Sequence, residues 1–282
     1  MKAATISPWL PLFSPFRYFL KYSLKFDLYA TSMKLRCEGE KMYSMQSASV
    51  EARLSTTANN LRRDTSHDTS PRLCVISRNA PERAEIETYI AKKFAASYGA
   101  TLREFLPYLL VLRAANGFGG VLGMRRAAYD TQLFLEQYLE APAELILGDL
   151  LKISVARGSL VEIGNLVATW RGSSQMLFIA LAALIVQVGA HWAVFTATPE
   201  VQKLLARLGV KQYVLGKADG SKLGGQLVDW GTYYNSSPSL VAVNAVDALT
   251  SFARQPTSSM LLASCKYQIE ACSSDSVGAL YD

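Results

Sequence analysis

Between Met176 and Val186 the chain runs through eleven consecutive apolar residues, MLFIALAALIV, opened by Gly172-Ser173-Ser174 and followed by Gln187. At about 1.5 Å per residue such a helix reaches roughly half-way through a bilayer's hydrocarbon layer, so it is too short to cross one. A helix that is apolar on every side offers no face to water and has to be buried within a protein. The segment before it, SLVEIGNLVA, has the composition of a strand. The junction at 160–188 therefore reads as strand, loop, buried helix, and it commits the chain to an α/β architecture.

The rest of the pattern extends this reading. LCVIS at 73–77 is a short strand, and Asn79 and Glu82 stand where a helix N-cap and its third helical residue would fall. Ile86, Ile90 and Phe94 then recur every four residues up to Tyr98-Gly99. YLLVLR and GGVLGMRRA flank Ala-Asn-Gly, which predicts a hairpin. LFLEQYLEAPAELILGDLLKI is helical in composition and interrupted at Pro142. HWAVFTAT, KQYVL, WGTYY and SLVAVNAV are expected strands, with a helix from Pro199 to Leu208 among them. The sum is a mixed central sheet with helices on both faces. Residues 1–72 read as an extension, 73–246 as the domain, and the Ser-rich 247–282 as a tail.

The formal charge is +6. Residues 1–72 carry 11 Lys and Arg against 6 Asp and Glu, which leaves 18 against 17 for the rest. The basicity thus belongs to the extension, and the domain gives no reason to expect a nucleic-acid partner. Lys21 and Lys25, interleaved with Phe16, Tyr18, Phe19, Tyr22 and Phe26, would suit a peripheral membrane contact. No transmembrane span is expected. The four cysteines form no CxxC pair and only two histidines exist, so no metal site is expected, and free thiols point to the cytoplasm, with secretion left open.

Chemistry is expected at the 160–188 junction. Unpaired N–H groups at a helix start favour a phosphate, Gly172 would admit it closely, and Arg171 adds charge. In the strand, alternation puts Glu162, Gly164 and Leu166 on one face and Ile163 and Asn165 on the other. A buried Glu162 could serve as a general base, or could be a structural partner of Arg125, Arg126 or Arg157. Gly164 in mid-strand suggests a bulge or the close approach of a ligand. Glu136, Tyr138, Thr196 and Thr198 are further polar groups on apolar elements, the two threonines at a strand C-terminal end where ligands gather in α/β sheets. WGTYY sets three aromatics together, and a tyrosine hydroxyl there could donate a proton. His191, beside Trp192, reads as structural.

LFLEQYL, PAE, VEIGNL, WAVFTAT, RLG and WGTYY, with YIAKKFAASYGA, FLPYLLVLR and GVLGMRRA upstream, resemble the thermostable hemolysin family of bacterial proteins over about 75–245. That family is similar in fold to the GCN5-related N-acetyltransferases (GNAT fold), and especially to acyl-homoserine lactone synthases. The resemblance implies that VEIGNLVA is a central strand splayed from its neighbour, with Leu166, Val167 and Ala168 pairing the pantetheine arm of an acyl thioester. Arg171, Gly172, Ser173 and Ser174 would hold a phosphate of coenzyme A or of an acyl-carrier protein. Thr169 and Ser174 depart from the acetyltransferase loop pattern Gln/Arg-x-x-Gly-x-Gly/Ala, which keeps the carrier-protein donor beside the coenzyme A donor. No tightly bound cofactor is expected. The acceptor would be a small amine, with Glu162 as base, backbone N–H groups after Gly164 at the developing oxyanion and Tyr233 as acid for the leaving thiol. Arg125, Glu136, Tyr138 and Asn165 would line its pocket. Direct membrane lysis and a catalytically inactive module stand as the other readings.

Overall fold

In the computed structural model the described residues are 71–128 and 131–272, all within one compact unit, His67–Asp282. The expected aromatic-basic extension, with its membrane contact, lies outside them. Seven strands form one sheet: β1 (Arg72–Ile76), β2 (Tyr108–Ala114), β3 (Gly117–Arg126), β4 (Leu160–Ala168), β5 (Trp192–Ala197), β6 (Tyr213–Lys217) and β7 (Ser239–Asn244). Their order is β1-β2-β3-β4-β5-β7-β6, antiparallel throughout except for the parallel pair β4–β5. Among the described residues six α-helices accompany them: α1 (Arg83–Tyr98), α2 (Ala143–Leu151), α3 (Ser173–Gln187), α4 (Pro199–Arg207), α5 (Ala245–Arg254) and α6 (Pro256–Cys272). This is the expected mixed α/β sheet.

One face of the sheet is covered by α3, whose Leu177 to Leu184 pack on Leu110, Leu122, Ile163 and Phe195. A helix buried all round needs cover on its outer side too, and α5 and α6 supply it through Phe252, Cys265 and Ile269. The expected tail is thus a structural layer as far as Cys272. Its serines and threonines hide an apolar spacing, Leu261, Cys265 and Ile269, of four residues each.

The other face is covered in two parts. Ile86, Ile90 and Phe94 of α1 lie on β1–β4, and Leu147 of α2 with Leu133, Leu135 and Tyr138 lies on β5–β7. Between these clusters neither α1 nor α2 covers the sheet at Gly123, Arg125, Glu162 and Gly164. Two further expectations change in detail. α1 starts at Arg83, after successive turns at Ser77–Arg83, with Glu82 rather than Asn79 at its cap. WGTYY is not a strand: Gly220–Trp230 and Tyr233–Ser236 are tight 3-10 segments. Gly231 joins them at φ 53° and ψ −122°, where a Cβ would overlap the Tyr98 carbonyl oxygen, so only glycine fits.

Candidate active site

The parallel pairing of β4 with β5 lasts only from Leu160–Trp192 to Ile163–Phe195. Beyond it β4 runs on to Ala168 with β3 alone as neighbour, so its backbone edge on the β5 side has no strand partner. The β3 register shifts at the same place. Val121 faces Val167 and Gly123 faces Gly164, so three steps on β4 match two on β3. The extra residue is Asn165, a non-glycine at φ 51°. The bulge also changes the faces. Leu166 packs on the α3 side and Val167 on the α1 side, so Leu166 does not share a face with Glu162 as simple alternation implies.

A cavity of about 980 Å³ occupies this parting and the sheet face at Arg125, Glu162 and Gly164. On the α3 side its walls are Leu166, Phe178, Phe195 and Val201, with Thr196 and Thr198 at the end of β5. On the opposite side they are Arg125, Glu162 and Asn165, with an aromatic wall from α1 and the 230–234 turn. Trp230 is central to that wall, with ring centroids 5.4 Å from Tyr233, 5.7 Å from Tyr234 and 5.5 Å from Phe134.

Glu162 is buried and directly opposite Arg125 in the β3–β4 register. Its Oε2 accepts from the Arg125 guanidinium at 2.5 and 3.1 Å, and its Oε1 accepts from the Leu135 N–H at 2.8 Å. Of the three arginines weighed as partners, Arg125 is the one that pairs with it. Arg126 donates to the Gly158 and Val188 carbonyls, and Arg157 to Glu136 and Glu144. A carboxylate has room for about four hydrogen bonds, so the three made here leave Glu162 able to meet a ligand.

Glu136 and Tyr138, expected in the acceptor pocket, do not line the cavity. Glu136 is a buried brace: it accepts from Arg157, from the Leu133 N–H at 2.8 Å and from the Ala143 N–H at 2.9 Å at the start of α2. Tyr138 is buried behind the wall, and its hydroxyl is hydrogen-bonded to that of Tyr234, which does reach the cavity. Burial pushes the Tyr138 phenol up to about 12, with the Glu162 charge among the smaller contributions. Burial, then the neighbouring Tyr234 and Tyr98, raise the Tyr233 phenol, and burial together with Tyr138 raises Tyr234. Tyr233 and Tyr234 therefore hold their protons. Tyr234 is the residue that composition missed. WGTYY showed that the rings cluster, but not which hydroxyl has a buried partner.

The loop into α3 opens as expected at Gly172, in the left-handed region at φ 84°. Arg171 and Gly172 are exposed, whereas Ser173 is buried, with both its N–H and its hydroxyl donating to the Trp170 carbonyl. The groups left at this helix start are the N–H groups of Ser174 and Gln175. Thr169 is held by the Tyr89 hydroxyl. Val167, Ala168 and the 171–174 loop lie outside the cavity lining, and Leu166 marks where the β4 edge meets it.

Among known proteins, the profile of the thermostable hemolysin family matches residues 76–249, more than half of the 282. No curated protein matches the chain by sequence. Among solved structures it is similar to the AHL synthase LasI, at 12% identity and TM-score 0.44, over 63% of this chain and 91% of that one. It is similar also to FeeM, an N-acyl amino acid synthase from uncultured soil microbes, at 14% identity and TM-score 0.45, over 64% and 94%. A third is MesI, a CoA-dependent acyl-homoserine lactone synthase, at 12% identity and TM-score 0.40, over 65% and 94%. Among the described residues no helix is long and apolar enough to cross a membrane.

Proposed function

We propose, from the premise that this chain belongs to the thermostable hemolysin family, that it is an acyltransferase. It passes an acyl group from the thioester of coenzyme A or of an acyl-carrier protein to the amine of a small acceptor. The observation that carries this reading is the parting of β4 from β5. It leaves a free strand edge at Leu166–Ala168, leading from the open helix start at Gly172 to a cavity that holds a fixed carboxylate.

An extended pantetheine arm can pair with that edge as a strand would, while its phosphate meets the Ser174 and Gln175 N–H groups and Arg171. The thioester carbonyl then sits at the bulge, where backbone N–H groups near Asn165 and Leu166 face the developing oxyanion. The amine nitrogen bonds to the carbonyl carbon, the carbon–sulfur bond breaks, and the thiolate leaves. Glu162 takes the amine proton, directly or through a water, and Arg125 holds it in place. Burial holds the Tyr233 phenol protonated beside the leaving sulfur. Its contribution to the leaving sulfur is a hydrogen bond.

The test is turnover of labelled acyl-coenzyme A and acyl-carrier protein against a panel of amines. Glu162→Gln should lower turnover by about 10²–10⁴-fold. No binding or turnover with either donor refutes the reading. Liposome leakage without any thioester, surviving removal of residues 1–72, would instead support direct lysis.

A further inference from the structure

The strip of sheet left by α1 and α2 meets residues 101–107, within the connection from α1 to β2, which form one wall of the cavity. This strap is fixed at several points. The Asn165 side chain accepts from the Leu106 N–H at 2.9 Å. Arg83, itself paired with Glu87, donates to the Leu106 and Pro107 carbonyls at 2.6 and 2.9 Å. At the other end, the Thr101 N–H donates to the Asp229 carbonyl at 2.7 Å, and Arg103 pairs with the Asp229 carboxylate at 3.2 Å.

These anchors place the Leu106 side chain over Gly123 and Gly164, which face each other across β3 and β4. A Cβ on Gly123 would lie 3.1 Å from the Leu106 Cβ, and one on Gly164 would lie 3.1 Å from its Cδ1. The two glycines thus form a trough one side chain deep, and Leu106 fills it. Two residues further along both strands, on the same face, stand Arg125 and Glu162. The close approach that Gly164 foretold is made by the chain itself.

We propose that Leu106 is a specificity-determining residue: its side chain ends the cavity beside the Arg125–Glu162 pair and limits the apolar group that an amine acceptor can carry. The inference rests on the reading of this side of the cavity as the acceptor site. Leu106 is held in the strap by its backbone N–H and C=O, so replacing its side chain leaves the anchors intact. Leu106→Ala vacates the trough by about three carbons.

The test is the binding of straight-chain primary amines, from butyl to tetradecyl, measured by calorimetry. Affinity should rise about fourfold for each methylene buried and then level off at a limiting length. In Leu106→Ala the limit should move about two to three carbons longer, making the longest accommodated amine roughly 15–60-fold tighter than in the parent. Leu106→Phe should shorten the limit. Gly164→Ala in the Leu106→Ala background should return it toward the parent value, because the new methyl refills the trough. An unchanged limit in the Ala and Phe variants overturns the proposal, as does binding of the parent with no length dependence. If the limit shifts as stated while neither thioester donor supports acyl transfer, the role of Leu106 stands and the acyltransferase reading falls.

Discussion

Arg157→Met removes the cation from a buried cluster that holds up one wall of the site. The side chains of Arg157, Glu136 and Glu144 are 8%, 6% and 13% exposed. The guanidinium donates to both Glu136 oxygens at 2.8 and 3.0 Å, to Glu144 at 2.8 Å, and to the Ala128 and Thr131 carbonyls at 2.6 Å each. Methionine occupies a similar volume but donates nothing, so a buried carboxylate is left without its counter-charge. Breaking a buried pair by removing one partner costs about 3–5 kcal/mol. In a unit of this size each kcal/mol lowers Tm by about 2–4 °C, so the expected fall at pH 7 is about 6–20 °C.

The pH dependence of that loss carries a definite sign. Burial pushes the Glu136 carboxyl up, but hydrogen bonds from Arg157, Ala143 and Leu133 and the Arg157 charge outweigh it and hold the carboxyl below its ordinary value. Such a group stabilises the fold above its unfolded pKa of about 4.3 and loses that contribution as pH falls through the lower folded value. Without the guanidinium, burial acts on Glu136 with less opposition, so protonation on acidification relieves the variant while it weakens the parent. Chemical denaturation at pH 7, 5.5 and 4 should show the largest gap at pH 7 and a narrowing toward pH 4. A variant within about 1 kcal/mol of the parent at pH 7, below the range for a broken buried pair, would refute the argument. A gap that widens on acidification would do the same.

Three further outcomes follow from local geometry. Gly231→Ala should cost more than about 2 kcal/mol in denaturant unfolding, since the methyl meets the Tyr98 carbonyl and φ is positive; a neutral result would mean that the 230–234 wall does not need this turn. Asn165→Gly keeps the left-handed backbone but drops the hydrogen bond to Leu106, so amide exchange at Leu106 should quicken, while Asn165→Ala should in addition be about 1–2 kcal/mol less stable than the glycine variant. Cys265 is buried and its thiol is pushed up to about 11 by that burial. It should therefore resist a thiol reagent at pH 8 that labels the partly exposed Cys74, and mass mapping that finds the two equally labelled in folded protein would contradict this.

The central elements were legible because their residues speak locally. The apolar run at 176–186 could only be a buried helix, and Asn116-Gly117 could only turn a hairpin. What stayed hidden depended on partners distant in sequence. The demand of α3 for cover on its outer side was implicit in its composition, yet the serines of α5 and α6 disguised the layer that meets it. Glu136 and Glu162 looked alike, each a carboxylate in an apolar element. Separating them required knowing that Arg157 reaches the first and Arg125 the second, and that the cavity reaches only the second. The strap at 101–107 has no periodicity at all, and its importance comes entirely from the two glycines beneath it.

One inserted residue ties these features together. A strand of strict alternation from Leu160 to Ala168 would put Leu166 beside Glu162 and bring Asn165 to the α3 face. With Asn165 bulged into the left-handed region, its side chain swings to the strap and fixes Leu106. Leu166 turns to the α3 side of the cavity, while Glu162 stays opposite Arg125 on the other. Pairing with β5 ends at Ile163, two residues before the bulge. The bulge increases local twist, and a strand that twists away from a parallel neighbour must part from it. The cavity, the free strand edge and the Leu106 side chain that lines the cavity thus meet at one register shift. Asn is among the few non-glycine residues that adopt this conformation readily, because its short amide can bond locally, and here the amide also holds the strap.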